Sequence, residues 1–281
     1  MLRLERFIMK RHLLIVTILL TCNGCVHYTY FPGMPAENFY EKDDLKLKGT
    51  GSTMHFEGQA SYAPSKFLGV SSGGFIGSLG NKGLNLAVAS FGSLPLGQNK
   101  RLGYTMNVGG EMAALGGSAT YRGYNGYRKE AYRYNLNYSG IFFQPSLWIR
   151  ISRESKKKAE KNSYFAIGSK VNYIQYQRFS YDFYDYVYDV WTEVKTNPFQ
   201  YRMASLYFAW ELQVDRKTRF PAFLCGLQAG YHHPLSGQID AIRHLGANRP
   251  TVKNAMVYNP IILNFYLGLR INTNSRTAVR K

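Results

Sequence analysis

The sequence predicts an all-β protein: an up-and-down antiparallel β-barrel of about ten strands (8–12), embedded in a membrane. Three observations lead there. From about Asp44 onward, apolar and polar residues alternate with a period of two, the repeat of a strand and not of a helix. The composition is aromatic and glycine-rich, with 23 Tyr, 17 Phe and 27 Gly among 281 residues, which suits strands and interfacial rings. The long connections between candidate strands all fall at one end of the meander, as in outer-membrane barrels. A mean hydropathy of −0.28 excludes a helical membrane protein but not a barrel, whose alternating strands average out polar.

Ten strands are expected, at about 44–50, 53–62, 67–79, 84–92, 102–117, 134–152, 163–178, 199–214, 220–232 and 258–272. The last is the clearest. Ile261, Leu263, Phe265, Leu267, Leu269 and Ile271 share one face, and Asn264, Tyr266, Gly268 and Arg270 the other. In 205–214, Leu206, Phe208, Trp210, Leu212 and Val214 alternate with Ser205, Tyr207, Ala209, Glu211 and Gln213. Segments 143–151 and 222–232 repeat the pattern, and 53–62, 84–92, 104–116 and 164–176 carry weaker versions. Several candidates match the roughly 9–11 residues that cross a bilayer, with extra at the rims. The long connections, 118–133, 179–198 and 233–257, follow the fifth, seventh and ninth candidates and so lie at one end. An even count leaves both termini on the opposite, short-turn, periplasmic side, consistent with a lipid anchored in the inner leaflet.

The faces opposite the apolar ones carry small residues together with Glu57, Glu111, Arg150, Lys170, Glu211 and Arg270, as a narrow polar lumen would. Isolated charges in such a place are costly, so ion pairs that plug the lumen are expected. The alternative is a proton- or ion-selective constriction. A soluble β-sandwich also alternates, with its apolar face inward. Rings crowding the strand ends (Tyr134, Tyr138, Phe142, Tyr173, Tyr176, Phe179, Tyr201, Tyr258) favour the membrane barrel, because they read as interface belts.

The N-terminus has the grammar of an export signal: a basic head at Lys10-Arg11, a short apolar run from Leu13 to Leu20, then small residues. Eight mostly aliphatic residues cannot span a bilayer. The stretch Leu20-Thr21-Cys22-Asn23-Gly24-Cys25 resembles a lipobox, where cleavage precedes an acylated cysteine. Cys25 follows a small residue, Gly24, and is the expected site; Cys22, with Leu19 at the aliphatic position, is the alternative. An ordinary signal peptide, or a Cys22–Cys25 disulfide, is the alternative reading. The expected organisation is a lipoprotein-type signal peptide at 1–24, a lipid-anchored linker at 25–43, the barrel at 44–272 and a polar tail at 273–281. Removing 1–24 leaves 31 basic against 16 acidic residues, a net charge of +15. An exported chain without zinc spacing or an RNA-binding motif does not suggest nucleic acid. Outer-membrane lipid and the phosphates of lipopolysaccharide fit better, with another envelope protein as a further partner.

Phe143-Gln144-Pro145-Ser146-Leu147, opening a strand, and Ala60-Ser61-Tyr62-Ala63-Pro64, closing one, are similar to phrases of the lipobox-bearing outer-membrane β-barrel proteins of Gram-negative bacteria. That resemblance implies a palmitate-bearing barrel in the outer membrane. The chain departs from such barrels in ending on a basic tail and not on an aromatic residue. No hydrolase elbow, zinc-binding helix or paired-cysteine motif occurs in the mature region, so no catalytic residue, metal or cofactor is expected. His232-His233 sits at a strand end with its rings on opposite faces. Two long loops carry candidate contacts: basic Arg122, Arg128 and Lys129, suited to phosphates, and Tyr184, Asp185 and Tyr188 in a Tyr/Asp-rich stretch suited to a protein, cation or sugar. The expected function is a non-enzymatic envelope protein with a structural, accessory or partner-binding role. The alternatives are a lipid-tethered soluble periplasmic domain binding a ligand or lipid, and an outer-membrane hydrolase.

Overall fold

The computed structural model describes residues 35–273 except 52–54, 78–80, 98, 123–128, 155–158, 186–189, 197, 217–220 and 237–260; side chains near several strand ends also lie outside the description. The described residues form strands and no helix. In chain order these are β1 (Asp44–Gly51), β2 (His55–Tyr62), β3 (Leu68–Gly77), β4 (Lys82–Gly97), β5 (Lys100–Arg122), β6 (Lys129–Glu154), β7 (Ala159–Asp185), β8 (Val190–Thr196), β9 (Phe199–Arg216), β10 (Ala222–Ser236) and β11 (Ile261–Asn272). Each of the ten expected strands is present, lengthened or shortened by a few residues at most ends and by more in β5, β6 and β7.

Ten of the strands close into an antiparallel up-and-down barrel. Every neighbour in the ring follows in chain order, apart from the extra strand β8. The ring closes where the last strand meets the first, with Lys46 opposite Arg270 and Asp44 opposite Asn272. Closure leaves no unpaired edge within the ring itself. Both ends of the array therefore lie on the short-turn side, as strand parity requires.

The wall is uneven. β1 and β2 have 8 residues each, whereas β5, β6 and β7 have 23, 26 and 27. Much of the two connections expected at 118–133 and 179–198 is therefore ladder, not loop. β5 and β6 stay paired out to Arg122–Lys129. β7 turns back through β8, which pairs Phe179–Thr196 to Asp185–Val190 above the ring. Their Tyr, Phe and Thr content favours continued pairing once a hairpin has been started by the barrel below it.

Side-chain direction follows the period-two reading. Outward positions keep large apolar side chains exposed all round the ring: Leu86 and Val88 on β4, Val108 on β5, Ile141 and Leu147 on β6, Ile167 on β7, Leu206 on β9 and Leu267 on β11. Leu267 is 61% exposed, whereas Glu211 is fully buried. A soluble sandwich would have these two the other way round. Inward rings lie over glycines on the neighbouring strand. Trp148 faces Gly103 and Tyr266 faces Gly226 in register; a Cβ on either glycine would come within 2.2–2.3 Å of the ring.

Candidate functional site

An eight-stranded barrel is just wide enough for side chains to fill; ten strands enclose more room than their own side chains can occupy. Here the chain itself takes the surplus. Residues 35–41, expected within a lipid-anchored linker, run through the lumen as an extended segment, and Ala36 to Tyr40 are all buried.

A segment outside any sheet must find partners for its peptide groups or leave them unsatisfied at a cost. The inward polar residues of the wall supply them. The Gln144 amide brackets Ala36, accepting from its N–H and donating to its carbonyl, each at 3.0 Å. Gln59 donates to the Pro35 carbonyl at 2.9 Å, and Asn107 to that of Glu37 at 3.1 Å. Thr105 donates to the Asn38 carbonyl at 2.6 Å, and the Lys46 ammonium to that of Phe39. Five successive carbonyls are thus held by side chains from β1, β2, β5 and β6. The Tyr207 hydroxyl adds a bond to the Asn38 side chain at 2.8 Å.

The rings of the segment pack where the wall is small. Phe39 meets Trp148 edge-on and Tyr164 at 5.1 Å, over Ala166 and Ala209. Tyr40 stacks on Phe91 at 5.2 Å beside Ala63 and Ala89. The inward Ala and Gly positions, which look like lumen space in the sequence, are the sockets for these rings.

Two ionic clusters pin the segment. In the first, Lys48 lies 2.7 Å from Glu37 and 2.5 Å from Glu211, and Lys46 lies 3.1 Å from Glu211 and 3.7 Å from Glu37. In the second, Arg270 reaches Asp44 at 2.5 Å and Glu41 at 2.7 Å, while Arg150 and the Tyr164 hydroxyl both bond Glu41 at 2.5 Å. Each cluster sets two bases against two acids, and each takes one acid from the inserted segment. Such matching is what makes buried charges tolerable. Higher up, Lys170 pairs with Glu111 at 2.7 Å and sits over the Phe142 ring.

The structure thus brings Arg150 and Arg270 of the expected lumen network onto Glu41 of the inserted segment, links Glu211 to Glu37 through Lys46 and Lys48, and sets Glu111 against Lys170. Glu57 faces inward and is buried. Sequence reasoning missed Glu37, Glu41, Asp44, Lys46 and Lys48. The alternation of Asp44, Lys46, Lys48 and Thr50 with Leu45, Leu47, Gly49 and Gly51 was a readable signal for the last three. Glu37 and Glu41 carry no such signal, because their partners lie as much as 229 positions away.

One expectation needs correction. Tyr138, Phe142, Tyr176 and Tyr201, read as members of interface belts, are buried inside the barrel. Tyr138 and Tyr176 lie 5.7 Å apart, and Tyr176 and Tyr201 6.4 Å apart. With Leu136, Ile174 and Met203 they fill the lumen beside the high wall, where period two puts them on the inward face. His232 also points inward, against the Ser205 hydroxyl, while His233 points out. Of the loop candidates, Arg122, Lys129, Tyr184 and Asp185 belong to strands, with side chains outside the description; Arg128 and Tyr188 lie outside the described residues, as do Cys22, Cys25 and the signal peptide. Among the described residues no cluster of His, Cys, Asp and Glu suits a metal ion, and Cys225 is a free thiol.

No known family's sequence profile matches the chain, and no curated protein matches it in sequence. Among solved structures it is similar to the CymD monoaromatic hydrocarbon channel, with 7% identity over 82% of this chain and 87% of that one and a TM-score of 0.18. So distant a likeness carries no argument, and the functional reading rests on the geometry of the chain itself.

Proposed function

We propose that this protein is a non-enzymatic outer-membrane β-barrel lipoprotein, acylated at Cys25 or Cys22, whose lumen is closed by its own N-terminal segment. Its role is structural, accessory or partner-binding in the cell envelope, with lipopolysaccharide or another envelope protein met by the high wall and its loops. The observation that carries this reading is the inversion of the barrel: large apolar side chains ring the outside, and matched charges fill the inside. Exposed apolar surface on that scale calls for a lipid or protein cover, and a closed barrel is one of the two structures that span a bilayer. The long and high end is the external one, following the build of outer-membrane barrels. The inward acids and bases neutralise one another, which supports a plug over a reaction centre or conducting constriction.

Heat modifiability tests the reading. Detergent-extracted barrel should migrate differently on a gel before and after boiling. A chain that stays soluble after both Cys22 and Cys25 are replaced by Ser, and shows no such shift, would instead be the tethered soluble domain.

A further inference from the structure

We propose that the residues preceding Pro35 leave the barrel through its high, long-loop end, which puts the acylated cysteine on the outer face of the membrane and not on the periplasmic face. The inference rests on the membrane reading and orientation proposed above. Strand parity alone suggests a periplasmic anchor, because β1 starts on the short-turn side. The chain before β1 reverses that. At Asp43, with φ of 64°, it doubles back into the lumen, and the reversal is held by bonds from Asp43 N–H to the Ala63 carbonyl and from Thr273 N–H to the Asp43 carbonyl.

Four walls agree on the direction of travel. Along β6, Arg150 binds Glu41, Trp148 packs on Phe39 and Gln144 holds Ala36. Along β5, Thr105 takes the Asn38 carbonyl and Asn107 that of Glu37. Along β4, Phe91 stacks on Tyr40 and Ala87 shares a buried cluster with Ala36. Along β2, Ser61 reaches Glu37 and Gln59 reaches Pro35. On each strand, the residue earlier in the inserted segment meets the position nearer the long-loop end. Reading back from Glu41, the chain climbs.

The remaining climb is short. Gln59 is four residues from His55, the start of β2, which is about 13 Å along the strand. The ten residues from Cys25 to Pro35 can span roughly 33–36 Å. Turning back toward the short-turn end would need a second strand's width beside residues 35–41. The far side of the lumen is already taken by Leu136, Tyr138, Ile174, Tyr176, Tyr201 and Met203. The segment instead climbs beside the low wall. There Phe56, Ile76 and Leu84 face outward and exposed within two residues of the strand ends, so the apolar belt comes up to this rim. Acyl chains emerging over the low rim meet the outer leaflet directly.

The test uses the full chain with its own leader, produced in the outer membrane of a Gram-negative host and carrying Cys225→Ser. Tyr28→Cys, Phe31→Cys and Lys157→Cys are introduced singly, and a membrane-impermeant maleimide is applied to intact and to permeabilised cells. We expect Tyr28→Cys and Phe31→Cys to label in intact cells to the same extent as in permeabilised ones, above the parent. Lys157→Cys, between β6 and β7, should label only after permeabilisation. If all three positions label only after permeabilisation, the N-terminal segment leaves on the periplasmic side and the proposal is wrong. If Lys157→Cys labels in intact cells, it is the orientation of the barrel that fails. Incorporation of an alkyne fatty acid, lost on Cys25→Ser or Cys22→Ser, supports the anchor; no incorporation into the parent overturns that half of the proposal.

Discussion

The Lys48 ammonium stands between two carboxylates, 2.7 Å from Glu37 on the inserted segment and 2.5 Å from Glu211 on β9. It is the point at which the wall and the chain that fills it become electrostatically one unit. Neither carboxylate is accessible to water, so removing one leaves two lysines competing for the other.

Glu37→Gln should therefore destabilise the folded barrel. Breaking a buried ion pair from one side costs about 3–5 kcal/mol, and here the remaining carboxylate of Glu211 offsets part of it. Urea unfolding in detergent, followed by the gel shift, should show a lower midpoint. Glu37→Gln combined with Lys48→Met should recover much of the loss. An unchanged midpoint in the single variant would mean that the segment is not held by this pair.

Acid should loosen the segment. Burial by itself would raise the Glu41 carboxyl, but Arg270, the Tyr164 hydroxyl and Arg150 outweigh it and hold the group below the usual carboxylate range. A depressed folded pKa contributes stability that is full above the unfolded value and lost as pH falls through the folded one. The barrel should thus resist unfolding near neutrality and weaken below the ordinary carboxylate range. Glu41→Gln should flatten that dependence, read as urea midpoint against pH.

Gly103→Ala should be worse than a surface glycine change. Its Cβ would fall 2.2 Å from the Trp148 ring, and Trp148 both packs on Phe39 and donates to Thr105 at 3.1 Å. Overpacking of this kind costs about 1–3 kcal/mol. Gly51→Ala, at a glycine whose added Cβ would meet nothing nearer than the Phe56 ring at 4.0 Å, is the comparison for open space. Equal losses of stability in the two variants would show that ring seating is unimportant.

On the outer face, Leu206→Arg should impair insertion. An arginine facing lipid near the bilayer midplane costs about 2–4 kcal/mol, whereas on a soluble domain an exposed Leu→Arg change is nearly neutral. Folding yield into vesicles, compared with that of Leu206→Ala, separates the two.

The intact protein should show no steady ion conductance in a planar bilayer. Deleting residues 26–41 removes Glu37 and Glu41 and leaves Lys46 and Lys48 facing Glu211 alone, and Arg150 and Arg270 facing Asp44. Such a lumen should conduct with anion preference. A deletion variant that folds and stays closed would show that the Tyr138, Tyr176 and Tyr201 layer is sufficient to seal the barrel.

Much of this was legible in the chain because β-structure is written locally. Leu206, Phe208 and Trp210 against Tyr207, Ala209 and Glu211 state which face is apolar without reference to any other strand. A run of such segments with long connections on one side implies an up-and-down array. The inwardness of Glu57, Glu111, Arg150, Lys170, Glu211 and Arg270 follows from the same period of two. The same period puts Tyr138, Tyr176 and Tyr201 on the inward face as well, but rings crowded at strand ends also suit an interface, and so they passed for a belt.

The sequence by itself determined the strands, their facing and the parity that brings β1 and β11 together, since each depends on spacing along a few residues. Only the tertiary structure decided what fills the barrel. Pro35 to Glu41 has no periodicity, and its partners Gln59, Asn107, Gln144 and Arg270 are scattered over four strands, from β2 to β11. They converge only when the ring closes. Closing it leaves a space too wide for side chains alone and too costly to leave charged, and the chain's own N-terminal segment supplies both the volume and the two missing carboxylates.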